Sequence, residues 1–158
     1  MSKIYREGAI GALMDEYERA SIELAAIIER LSQSEFEKIL DPHTEDEDCR
    51  SVQTIINHVI RSGYGYANSI RRATNQTEIK PIFQTNNPKE ALIHFDKMLK
   101  YTEETLEGKW KMSNDEMFYI EVIASDGTKS NLEARLEHAI VHILRHRRQL
   151  EKLLKLRT

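Results

Sequence analysis

Four long segments of the chain repeat apolar residues every three or four positions, the spacing that gathers them on one face of an α-helix. The first runs from about Glu7 to Leu31 and carries Ile10, Leu13, Tyr17, Ala20, Leu24, Ile27 and Leu31, with Asp15, Glu16, Glu18 and Arg19 on the wet side. The second starts at Ser51, a good N-cap, and reaches about Arg72 with Val52, Ile55, Ile56, Val59, Tyr66 and Ile70 on its apolar face. The third opens on Asn87-Pro88-Lys89-Glu90, a capping Asn followed by Pro at the first helical position. It buries Leu92, Phe95, Leu99 and Leu106 and ends about Glu107, before Gly108. The fourth opens on Ser130-Asn131-Leu132-Glu133, read as a capping box, and continues nearly to Leu156 with Leu132, Leu136, Ala139, Ile143, Leu150 and Leu153 inward. Each helix has one stripe to bury, and the simplest common solution is an all-α four-helix bundle, with residues 1–158 as one domain.

The connections read differently. Ser32 to Arg50 is a link with one short helix near Glu35 to Ile39, and Asp41-Pro42 and the run Glu45-Asp46-Glu47-Asp48 predict a solvated loop. Asn75 to Asn86, containing Pro81, is a second loop. Trp110 to Gly127 is the least helical stretch. Phe118 to Ile123 has strand propensity and Asp126-Gly127 is a turn signal, so a short extended segment or hairpin is expected before the last helix. Trp110 and Tyr119 are expected to pack across the bundle end. Six Gly and three Pro are too few for the many tight turns of an all-β fold.

A net charge of −3 supplies no electrostatic reason for nucleic acid as a partner, and no aromatic platform or groove-reading motif accompanies the basic end of the last helix. No apolar run approaches a membrane span, and Met1-Ser2-Lys3 is followed by no apolar signal core. The single Cys49 excludes an intrachain disulfide and a thiolate-rich zinc site, and the acidic residues before it raise its pKa. A reducing, cytoplasmic setting follows as the expectation.

Histidine carries the chemistry. His58 lies on the second helix and His138, His142 and His146 on the fourth, while His43 and His94 read as surface or packing residues. Neighbours four apart on a helix are separated by roughly 6 Å of rise and about 40° of rotation, close enough to grip one metal ion. His138 and His146, about 12 Å apart along the axis, could hardly share one. On the helical wheel His146 falls inside the apolar stripe, His142 at its edge and His138 farthest out, which favours His142 with His146. A flank position alone does not exclude His138. Gln149, Asn57 and Tyr66 are candidates for orienting an imidazole or a substrate.

The stretch Leu136-Glu137-His138-Ala139-Ile140-Val141-His142-Ile143-Leu144-Arg145-His146-Arg147-Arg148-Gln149-Leu150 resembles the last-helix motif of the DinB/YfiT-like superfamily. Ser51-Val52-Gln53-Thr54-Ile55-Ile56-Asn57-His58 is similar to its second-helix pattern of a Ser cap, an apolar run and a His. Arg148 stands where many members carry Gly. The resemblance covers the chain in helix order and length, but only these two segments are specific. It implies a four-helix bundle in which His58, His142 and His146 hold a divalent metal, zinc or nickel, with His138 outside the triad. Three imidazoles with one open position suit a catalytic ion better than a structural one. The resemblance further implies a thiol S-transferase-like enzyme acting on a low-molecular-weight thiol, or a metal-dependent hydrolase, and a homodimer. The alternative is a non-catalytic, stress-associated dimeric member that keeps the fold and the metal.

Overall fold

The computed structural model describes residues 5–155. Its long helices are α1 (Gly8–Glu29), α3 (Val52–Ala73), α4 (Pro88–Leu106) and α6 (Leu132–Leu153); the short helices α2 (Gln33–Glu37) and α5 (Asn114–Tyr119) lie in the connections. α1 packs against α6 and α4, and α3 packs against the same two, so α1 faces α3 and α4 faces α6 across the diagonals of a four-helix bundle. The expected end of the last helix near Leu156 lies outside the described residues; the helix stops at Leu153.

Helix starts follow local capping chemistry. The Ser51 hydroxyl accepts from the Thr54 N–H at 3.1 Å while Thr54 Oγ1 accepts from the Ser51 N–H at 3.0 Å. Asn87 Oδ1 accepts from the Glu90 N–H at 2.9 Å, with Pro88 leading α4. For α6 the expected box at Ser130 is not made. Ser130 is paired with Val122 in a sheet, so the cap passes to Asn131, whose Oδ1 accepts from the Ala134 N–H at 2.8 Å.

The stretch before α6 is more helical than its strand propensity suggests. Ser113 and Glu116 close a reciprocal capping box that starts α5, and Phe118 and Tyr119 belong to that helix. Tyr119 is exposed rather than packed across the bundle end, whereas Trp110 lies half-buried under the Arg6 guanidinium, 5.8 Å from its ring. Only Glu121–Ile123 (β1) and Lys129–Asn131 (β2) are extended, an antiparallel hairpin in which Val122 faces Ser130 and plugs into the core. The short helix expected near Glu35 to Ile39 begins earlier, because Ser32 and Glu35 form its cap.

The α1 stripe is rotated slightly from expectation. Met14 and Ile28 are fully in the core, Leu13 and Ile27 sit at its edge, and Asp15 is buried rather than wet. Arg6 explains the last point. Its backbone N–H and Nη1 donate to the two Asp15 oxygens at 3.0 and 2.5 Å, and Nη2 reaches Glu103 of α4 at 2.6 Å. The buried carboxylate is therefore paired, and the pair ties α1 to α4.

Two flanking pieces sit against α3. One is the acidic connection, which forms a 3₁₀ turn at Glu47–Cys49 and is pinned by the Leu40 N–H donating to the Arg50 carbonyl at 2.8 Å. The other is β1 of the hairpin. Between them they place charged and polar side chains beside the α3–α6 contact.

The entrance to α1 depends on one glycine. Gly8 has φ +72°, and a Cβ there would run into the Trp110 carbonyl oxygen, a backbone atom with little room to yield. Gly8→Ala should destabilise the protein by about 2 kcal/mol or more, lowering Tm by roughly 4–8 °C in a thermal melt followed by circular dichroism. An unchanged Tm would mean that the α1 entrance does not need this conformation.

Candidate metal centre

His58 from α3 and His142 and His146 from α6 come together where the two helices touch. The His142 and His146 ring centroids are 4.5 Å apart, and that of His58 lies 5.0 and 5.1 Å from them. One ring nitrogen from each lies within 4.8 Å of the others, so the group could hold a metal ion. His138, one turn earlier on α6, is exposed and outside this group; its ring rests 5.5 Å from that of Tyr66.

The hydrogen bonds fix which nitrogens converge. Asp48 Oδ2 lies 3.1 Å from His58 Nδ1, and a carboxylate can only accept, so His58 carries its proton on Nδ1 and turns a lone pair on Nε2 inward. Gln149 Oε1 does the same for His146 Nδ1 at 2.9 Å. His58 Nε2 and His142 Nε2 are 3.0 Å apart, so His142 donates its Nε2 proton across that gap. With bonds of about 2.0–2.1 Å, two nitrogens on a tetrahedral ion stand about 3.3 Å apart. The pair is thus spaced nearly as a shared ion requires, and an ion would take the place of that proton. The donor set fits a borderline divalent ion such as zinc or nickel.

Charge state fits as well. Burial pushes His142 down to about 3, and the neighbouring His146, His58, His138 and Arg145 push in the same direction. Burial also lowers His146, against the pull of its Gln149 hydrogen bond. Both rings are neutral near pH 7, the form that ligates.

Sequence reasoning missed Asp48. The acidic run was expected to be a solvated loop, yet the 3₁₀ turn directs Asp48 to His58, while its other oxygen accepts from Arg61 Nη2 at 2.6 Å. Partial burial raises the Asp48 carboxyl, but the hydrogen bond and charge of Arg61 outweigh it and hold the group below the usual carboxylate range. A signal was available: Arg61 lies one turn beyond His58 on α3, and an acidic loop packed on that face has a cation to meet. Carboxylate support of a ligating His is a recurrent arrangement in metal sites. Asn57, by contrast, does not serve the site. Its Oδ1 holds the Thr85 backbone and hydroxyl at 3.2 and 3.1 Å and so anchors the loop before α4. Cys49 next to Asp48 is no reactive thiolate, because burial and the carboxylates of Asp46 and Asp48 raise its pKa. His94 stacks on Phe83 at 5.0 Å and His43 is exposed, as expected.

A cavity of about 570 Å³ opens on the His58 side of the group, bounded by Arg61, Tyr66, Arg135 and His138 and roofed by the hairpin turn around Asp126. Tyr66 lines the cavity with its ring 5.6 Å from the His142 imidazole, and its burial raises the phenol pKa. No helix among the described residues is long and apolar enough to cross a membrane.

Four packed helices with histidines brought together from the second and last of them match what the two sequence segments implied. The sequence profile of the DinB family matches residues 6–157, and the chain belongs to that family. No curated protein matches the chain.

The depressed His142 titration has a measurable consequence. The folded protein resists a proton that the unfolded chain accepts at the ordinary His value near 6.5, so between there and about 3 the unfolded state binds more protons. Stability of the metal-free protein should therefore fall as pH is lowered through that window and level off below it. Urea unfolding between pH 7 and 4 should show a shallower decline for His142→Gln than for the wild type. Identical slopes would show that His142 is not buried in its neutral form.

Proposed function

We propose that this DinB family protein is a divalent-metal-dependent enzyme that activates a small thiol, with His58, His142 and His146 as the protein ligands. One observation carries the reading: His58, one of the three converging histidines, lines a cavity large enough for a small molecule. A divalent ion held there supplies Lewis acidity, which lowers the pKa of a thiol or a water near neutral pH.

The chain's own residues prepare that chemistry. Asp48 and Gln149 hold the His58 and His146 rings with their Nε2 lone pairs inward, so no reorientation is needed on binding. Burial keeps His142 neutral. Tyr66 lines the cavity, with its ring beside His142. In the transfer itself the thiol loses its proton to solvent in the cavity, and sulfur bonds to an electrophilic carbon while the leaving group departs with the bonding pair. Attack by water instead of a thiol would make the same site a hydrolase.

Two sets of measurements test this. In zinc titrations by calorimetry, His58→Ala, His142→Ala and His146→Ala should each weaken binding strongly, since only two protein ligands remain. Asp48→Asn and His138→Ala should cost at most about 10- to 100-fold, the range for groups that support a ligand rather than serve as one. Loss of binding in His138→Ala with retention in His146→Ala would mean that the ligand set is wrong. For activity, an electrophilic probe with a small thiol should react faster with metal-loaded than with metal-free protein, and the three ligand variants should fall to the metal-free rate. Equal rates across several thiols and metals would make the protein a non-catalytic metal-binding member of its family.

A further inference from the structure

Arg135 is the most unusual side chain outside the metal centre. It lies on α6, one turn before His138 and Ala139, and is only 7% exposed. Its Nε and Nη2 atoms are enclosed and have no hydrogen-bond partner. Among the described residues no carboxylate lies within ion-pair distance of it. Asp126, the acidic group on the facing hairpin turn, has Oδ1 committed to the Thr128 N–H at 2.9 Å. The Tyr66 ring, 5.9 Å from Arg135 Cζ, and the longer-range attraction of the Asp126 carboxylate offset part of the charge, but neither uses the idle N–H groups. The other buried ionic group of the bundle, Asp15, is fully paired with Arg6. A buried cation with no carboxylate in contact with it is costly, and folded chains rarely keep one for packing alone.

The geometry of the idle atoms is informative. Nε and Nη2 share one edge of the guanidinium, the edge that receives the two oxygens of a carboxylate side by side. The side chain borders the cavity described above. Tyr66 touches both ends of the arrangement: Arg135 lies 5.9 Å from its ring and His142 5.6 Å. A molecule of a few carbon atoms in this cavity could therefore meet the arginine with one end and His58 with the other. The remaining charges agree. Arg61 is already held by Asp48, so Arg135 is the lining cation left to be neutralised.

We propose that Arg135 is the carboxylate-binding residue of the substrate cavity, and that the protein acts on small thiols carrying a carboxylate a few carbons from the sulfur. This rests on the metal-centre reading above for the thiol end, but not for the acid end. Both idle nitrogens are closed to water, so the incoming acid meets them as the guanidinium turns toward the cavity it borders. The acid supplies the missing counter-charge, and in doing so sets the register of the sulfur against the three histidines. Specificity then comes from the unpaired arginine, because a neutral analogue leaves it as costly as before.

The test compares mercaptopropionate and mercaptohexanoate with their primary amides by calorimetry, on zinc-loaded and on metal-free protein. One of the acids should bind the loaded wild type at least about 10-fold more tightly than its amide, as expected of a charge-assisted bidentate contact. Arg135→Met should erase that preference while leaving zinc affinity within about twofold and Tm unchanged or raised, since it removes a buried unpaired charge. Arg135→Lys keeps the charge without the fork and should lose most of the preference, which covers the case in which the methionine variant fails to fold. Acid and amide binding alike would overturn the proposal. So would a preference that survives Arg135→Met, the sign of an acid that merely chelates the zinc. The two readings separate cleanly. Absent zinc binding with an acid preference on the metal-free protein condemns the metal centre and keeps the arginine subsite. Zinc binding without any acid preference condemns the subsite alone.

Discussion

Desolvation of imidazole between two packed helices is the constraint on which the site depends. His142 can lie 3.0 Å from His58 only if both rings are not charged together, and burial ensures this by pushing the His142 pKa to about 3. The same burial requires the close α3–α6 contact, which in turn requires the apolar faces of both helices to meet. Val59 and Ile55 on one side and Ala139 and Ile143 on the other are fully inside, and the histidines sit at the edge of that packed surface. Had they been central, no cavity could reach them; had they been fully exposed, protons would compete at ordinary pH.

Around this contact the chain invests polar side chains whose cost is offset by their partners. Asp48 is held by Arg61 and in turn orients His58; Gln149 orients His146 from one turn along the same helix. These supports come from two different distances in sequence. Gln149 is local and follows from helical spacing, whereas Asp48 arrives from a connection that would be free to wander without the Leu40–Arg50 hydrogen bond and the packing of its 3₁₀ turn on α3. Rings held this way are preorganised before any ligand arrives.

Arg135 breaks the rule that the rest of the protein observes. Arg6 buries itself only with Asp15, Glu18 and Glu103 around it, a network that spends charge on holding α1 to α4. Arg135 is placed deeper than Arg6, with two donors idle. Stability given up beside a cavity is a common mark of a functional surface, because a group satisfied by the fold has nothing left to offer a ligand.

Much of this was legible in the chain. Four apolar stripes with period near 3.6, capping residues at Ser51 and Asn87, and few glycines and prolines sufficed for the bundle, because helix formation and one-sided burial are local properties. Spacing left two histidine pairs on the last helix, and the place of His146 in the apolar stripe together with the family motif favoured His142 with His146; Gln149 was a candidate from its nearness to the ligands in sequence. What escaped was decided at longer range or by competition between local signals. The capping box at Ser113 and Glu116 turned Phe118 and Tyr119 helical against their strand propensity; the sheet claimed Ser130 and moved a cap to Asn131; Arg6 drew Asp15 inward from a face read as wet. The convergence of His58 with the last helix was legible only through the family motif, since 84 positions separate it from His142 and no periodicity spans that gap. The cavity and the unpaired Arg135 belong to tertiary structure alone, and Asp48 had only the faint signal of Arg61 one turn beyond His58. A carboxylate in an acidic run and an arginine on a basic helix look like solvated charges in sequence, and only packing decides which of them loses its water.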